Sequence, residues 1–161
     1  MKRIVRATAV ALALGSSILV AGCSPGTAAV AGGRTITVDE VNSAVVEINE
    51  AMQPQTPVTA PQVLTYLVRA PEVLAYAAEQ GRAVTPSIAR TLIPLNDPSP
   101  STVEIVQYAK AVESLTDQDS AELTKRLTAL EVTVNPKFGT WSAERAGVAP
   151  DQPNWLTATP K

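Results

Sequence analysis

The residue types that most often do chemistry are scarce in this chain. It has no histidine and a single cysteine, Cys23, so a Ser/His or Cys/His hydrolytic pair, a histidine-ligated metal and an internal disulfide are excluded by counting. Asp117 and Asp119 could act as paired carboxylates, yet neither a third carboxylate nor a glycine-centred calcium loop accompanies them. One or the other is instead placed to cap a helix. Arg69 with Glu72, and Glu122 with Lys125 and Arg126, have the spacing of solvated ion pairs. Trp141 and Trp155 could stack on a sugar, but the first is placed to pack beneath a closing strand and the second lies in a proline-containing tail. With 13 Lys+Arg against 15 Asp+Glu, the chain also lacks the concentrated positive charge that nucleic acid requires. The expectation is a protein that is not an enzyme, uses no cofactor or metal and binds no nucleic acid, which leaves location and binding as its business.

Cys23 acquires a role from what precedes it. Lys2, Arg3 and Arg6 are followed by an apolar or small run, Ala7 to Ala21, too short for a comfortable bilayer span and suited to the core of a signal peptide. Leu19-Val20-Ala21-Gly22-Cys23 resembles the lipobox of bacterial lipoproteins. In that family the thiol receives a diacylglycerol before a dedicated peptidase cuts on its amino side, so the resemblance implies that Cys23 is lipidated and becomes the first mature residue. The alternatives are an uncleaved anchor helix or an ordinary secretory peptide with a spare thiol; lipidation accounts for the signal and the unpaired cysteine together. Two or three acyl chains, at about 0.8 kcal/mol per buried CH₂, hold a protein on a membrane more firmly than one. Loss of residues 1–22 removes Lys2, Arg3 and Arg6, so the net charge falls from −2 to −5 and polybasic attraction to lipid plays no part. The expected location is the extracytoplasmic face of the cell membrane, with residues 23–27 as lipidated cysteine and short tether.

The remaining chain reads as one mainly helical domain, with about 59 apolar residues among its 139, enough for a single modest core. Ala28 to Ala31, Gly32-Gly33 and Arg34 to Ile36 form a short extended hairpin. Thr37 and Glu40 make a capping box, after which Val41, Ala44, Val45, Ile48 and Met52 line one helix face. Pro54 and Pro57 end that helix, and Thr59-Ala60-Pro61 opens a longer one that stops near Gly81. In it Gln62, Thr65, Arg69, Glu72, Tyr76 and Glu79 form a narrow polar stripe whose phase survives Pro71, which predicts one helix kinked at the proline. Thr85-Pro86 begins a short helix with Ile88, Ala89 and Leu92; Pro100 begins another with Val103, Val106, Ala109 and Val112 on one face; a last one presents Leu123, Leu127 and Leu130. Val132 and Val134 make a short strand placed to pair with the first one, and residues 142–161 read as a flexible tail.

This order of parts resembles the N-terminal chaperone domain of extracytoplasmic foldases of the SurA and PrsA type. The resemblance is carried by the small apolar strand and glycine turn leading into Arg34-Thr35-Ile36-Thr37-Val38-Asp39-Glu40-Val41. It is carried also by Val132-Thr133-Val134-Asn135-Pro136-Lys137-Phe138-Gly139-Thr140-Trp141, similar to the end of the domain in actinobacterial lipoproteins of the group. It spans residues 28–141 and implies a SurA N-terminal-like helical domain with a short strand pair joining its N- and C-terminal ends. The parvulin isomerase module of the full foldases is lacking, so isomerase activity is expected to be absent. The implied work is that of a holdase whose partners are unfolded or exported proteins, with the membrane engaged through the lipid anchor. Met52, Tyr66, Tyr76 and Tyr108 are the apolar-bodied residues expected to be partly exposed and to touch such clients. The alternative is a structural or adaptor lipoprotein that binds one specific envelope partner.

Overall fold

The computed structural model describes residues 25–149; the signal segment, Cys23 and Trp155 lie outside the described residues. Strand β1 (Thr27–Ala31) turns through Gly32 and Gly33 into β2 (Arg34–Thr37). Both glycines have positive φ, 54° and 80°, the backbone that a tight two-residue hairpin demands and that glycine alone adopts freely. The first helix, α1 (Val38–Met52), starts on the expected capping box: Thr37 accepts from the Glu40 backbone, and the Glu40 side chain accepts from the Thr37 backbone. Val41, Ala44 and Ile48 of its apolar face are buried.

Asn49 then holds the connecting loop by bonding both backbone groups of Val58, at 2.8 and 3.0 Å. Helix α2 (Ala60–Glu79) runs unbroken through Pro71, whose ring is on the exposed side, and ends beside Gly81 at φ 71°. Helices α3 (Pro86–Thr91) and α4 (Pro100–Glu113) each begin at a proline behind a hydroxyl cap, Thr85 and Ser99. Helix α5 (Asp117–Thr128) is capped by Thr116, while Asp119 stands at the third helical position and closes the box from inside.

The closing strand β3 (Val132–Val134) pairs antiparallel with β1, so the predicted strand pair is the outer half of a three-stranded sheet in the order β2-β1-β3. Sheet, α1 and the first half of α2 enclose the main core around Ile36, Val41, Leu64, Leu67 and Phe138. A second cluster gathers Val73, Tyr76 and Ala77 of α2 with Leu123 and Leu127 of α5.

Three expectations need correction. The segment after Trp141 is not a loose tail as far as Ala149: a 3₁₀ turn (Pro136–Phe138) leads into a hairpin of β4 (Thr140–Ser142) and β5 (Gly147–Ala149), so the domain extends beyond residue 141. The middle of the α2 polar stripe is not a solvent face, because that hairpin lies on Thr65 and Arg69, while Gln62 and Glu79 at its two ends stay exposed. The Thr65 hydroxyl accepts from the Val148 N–H at 2.9 Å, and the Arg69 guanidinium donates to the carbonyls of Arg145 and Ala146 rather than pairing with Glu72. On α4 the inward face carries Thr102 and Ile105 beside Val103 and Val106, while Ala109 and Val112 are exposed.

Candidate functional site

The feature best suited to binding is an apolar groove of about 320 Å³ where α1, α2 and α4 meet. Helix α1 contributes Ile48 and Met52, the loop after it Val58, and α2 the ring of Tyr66. Ile105, Val106 and Ala109 of α4 form the opposite wall, with Leu92 at the mouth. Met52 and Leu92 are 43% and 42% exposed, so apolar surface is open to an arriving side chain. Along the rim Lys110 pairs with Glu113 at 2.6 Å. A cavity of this size is at the small end of those that hold ligands, and its lining offers apolar contact with a charged edge rather than a reactive group.

The four residues expected to touch clients separate in space. Met52 and Tyr66 both line the groove. Tyr108 stacks on Tyr66, with ring centroids 5.5 Å apart and planes 28° from parallel, so it holds the wall rather than lining the cavity. Tyr76 departs from expectation: it is 6% exposed and lies in the second core cluster. Its hydroxyl donates to Asp119 at 3.0 Å, and the Arg126 guanidinium sits 5.0 Å from its ring centre. Val58 and Ile105 of the lining were not named from the sequence, and Leu92 was read only as a residue of the short helix. Leu92 carried the one available signal, a large apolar residue at the end of a six-residue helix of which only Ala89 is buried.

The ionisable groups are arranged for structure. Asp119 accepts from the backbone and hydroxyl of Thr116, which hold its carboxyl well below the usual carboxylate range despite burial, with further help from Arg82 and Tyr76. That hydrogen bond to Asp119, together with burial, pushes the Tyr76 phenol up. Arg126 grips Glu79 with two bonds, at 2.8 and 2.9 Å, which lowers the Glu79 carboxyl, and reaches Glu122 at 3.5 Å. Arg34 of β2 grips Glu104 of α4 in the same two-pronged way and is raised by it. Among the described residues no group of three His, Cys, Asp or Glu side chains could hold a metal ion, and no helix is long and apolar enough to cross a membrane. A second hollow of about 360 Å³, beside Arg90, Glu104 and Gln107, is more polar and shallower. Comparison with protein families, with curated proteins and with solved structures finds no match to this chain.

Proposed function

We propose that this protein is a lipoprotein of the extracytoplasmic membrane face, anchored through Cys23. In this reading it acts without turnover as a holdase of the foldase-chaperone kind, taking apolar side chains of unfolded exported proteins into the groove between α1, α2 and α4. The observation that carries the reading is the exposure of Met52 and Leu92 over an apolar cavity. Unbranched, polarisable methionine adapts to varied partners. Burying one aliphatic side chain is worth about 1.5–3 kcal/mol. A cavity that admits one or two of them therefore gives weak, quickly exchanging binding once association costs are met, which is what a holdase needs.

The test is aggregation of a denatured model protein followed by light scattering, with the chain from Ser24 onward added in increasing amounts. Dose-dependent suppression that is lost in Met52→Glu supports the reading; no suppression at several-fold molar excess overturns it. The charged Lys110–Glu113 rim favours a second reading, an adaptor lipoprotein that docks one folded envelope partner. In that case cross-linking from the groove recovers a single species, and the denatured protein aggregates unhindered.

A further inference from the structure

The end of the body where the chain enters is also the end where two helices start. The Gly26 carbonyl accepts from the Val38 N–H at 2.9 Å, which sets the first turn of α1 against the entry point. The Ser101 hydroxyl donates to the Glu40 carbonyl at 2.9 Å, which brings the first turn of α4 to the same place. Asn135 donates from its side chain to the Thr27 carbonyl at 2.9 Å, adding the turn that carries Lys137. From there α1 and α4, of 15 and 14 residues, each extend about 20 Å. Met52, Lys110 and Glu113 lie in their last turns, so the groove mouth is at the far end.

We infer that the Gly26–Thr37–Lys137 end of the domain faces the lipid surface and that the groove opens away from it, about one helix length farther out. The inference rests on the lipidation of Cys23 proposed above. Three residue steps separate Cys23 from Gly26 and span about 11 Å at most. The tether is therefore about half as long as α1, too short to let the body turn over and bring its distal end to the bilayer first. Exposed Lys137 and Asp39 at the proximal end are of opposite sign, so the covalent link rather than electrostatic attraction sets the contact. A groove held in this way meets chains arriving in solution and is not filled by the acyl chains of its own membrane.

The test uses the full chain, acylated in a bacterial host and reconstituted into phosphatidylethanolamine–phosphatidylglycerol vesicles. Lys137→Cys and Glu113→Cys each add one labelling site, the Cys23 thiol being occupied by its lipid. Energy transfer from the label to acceptors on lipid headgroups is then measured on protein that floats with the vesicles. An offset of one helix length predicts stronger transfer from position 137 than from 113, by the margin that about 20 Å of added distance gives for the dye pair used. Equal transfer from floating protein, or stronger transfer from position 113, overturns the orientation while leaving lipidation in place. Protein that stays at the bottom of the gradient overturns both.

Discussion

Tyr76, near the end of α2, donates its hydroxyl to Oδ1 of Asp119 in the first turn of α5 at 3.0 Å, with both side chains buried. Arg82 donates to the same oxygen at 2.9 Å, and the Thr116 backbone and hydroxyl fill the other oxygen at 2.7 and 2.8 Å. One carboxylate thus joins the long helix, the loop after it and the start of the last helix.

This junction has a pH signature with a definite sign. The Asp119 carboxyl is depressed below its ordinary 3.8, so its contribution is complete above that value and is lost as pH falls through the lower, folded-state value. The Tyr76 phenol is raised above 10.0, so its contribution is present below pH 10 and is lost as pH rises beyond it. Urea unfolding at a series of pH values is expected to show the wild type losing stability below about pH 4. Asp119→Asn should be less stable at pH 7 and flatter across the acid limb. An unchanged acid limb in the variant would show that Asp119 is not its source.

Packing of the C-terminal hairpin on α2 gives a proteolysis prediction. Thr65→Val keeps the volume but removes the hydroxyl that accepts from Val148 and donates to the Pro61 carbonyl at 2.8 Å. Leaving the Val148 N–H unpaired is expected to cost about 1–3 kcal/mol. Limited trypsin digestion should then cut after Arg145 faster in the variant than in the wild type. Equal cutting rates would mean that the hairpin is held by other contacts.

Two helix ends call for opposite substitutions. Gln53, exposed beyond α1, has φ 42°, whereas Gly81 follows α2 at φ 71° with nothing within 4 Å of a would-be Cβ. Gln53→Gly is expected to stabilise and Gly81→Ala to destabilise, each by about 1 kcal/mol, because a side chain in the left-handed region costs about that much. Thermal melts of the two variants should move in opposite directions, and movement the same way would contradict the argument.

Leu67, fully buried between sheet and helices, probes the main core. Leu67→Ala is expected to lower the unfolding free energy by about 2–5 kcal/mol. A loss under about 1 kcal/mol, read by urea titration, would mean that the core closes over the gap.

Cys23→Ser tests the anchor independently of the groove. Metabolic labelling with a palmitate analogue should mark the wild type and not the variant, and the variant should leave the membrane fraction. Labelling of Cys23→Ser would place the lipid elsewhere.

Local signals made the helices legible. The Thr37–Glu40 box and the prolines at 61, 86 and 100 mark starts that backbone chemistry enforces wherever the helix lies. Contacts distant in sequence hid the rest. Thr65 and Arg69 look like solvent-facing residues until the hairpin 76 to 83 residues later covers them, and strands of three residues with Ala146 at φ 45° carry no periodic pattern. Tyr76, Arg82 and Asp119 come from three segments, so no spacing rule could bring them together. The groove was half legible: Met52 and Tyr66 stand out by type, but Leu92 joins them only through the packing of α3 on α4.

The bond from Asn135 to the Thr27 carbonyl spans 108 residues, and it fastens the central strand of the sheet to the last one. Closing so long a loop is entropically costly and is repaid only when both partners exist. A chain emerging amino end first therefore holds β1 with one bare edge until β3 follows. Truncation anywhere before Val132 should leave a sticky, unfinished sheet rather than a smaller stable domain. Completion of the body is thus timed by the last of its strands, which makes residues 132–149 a clasp for everything synthesised before them.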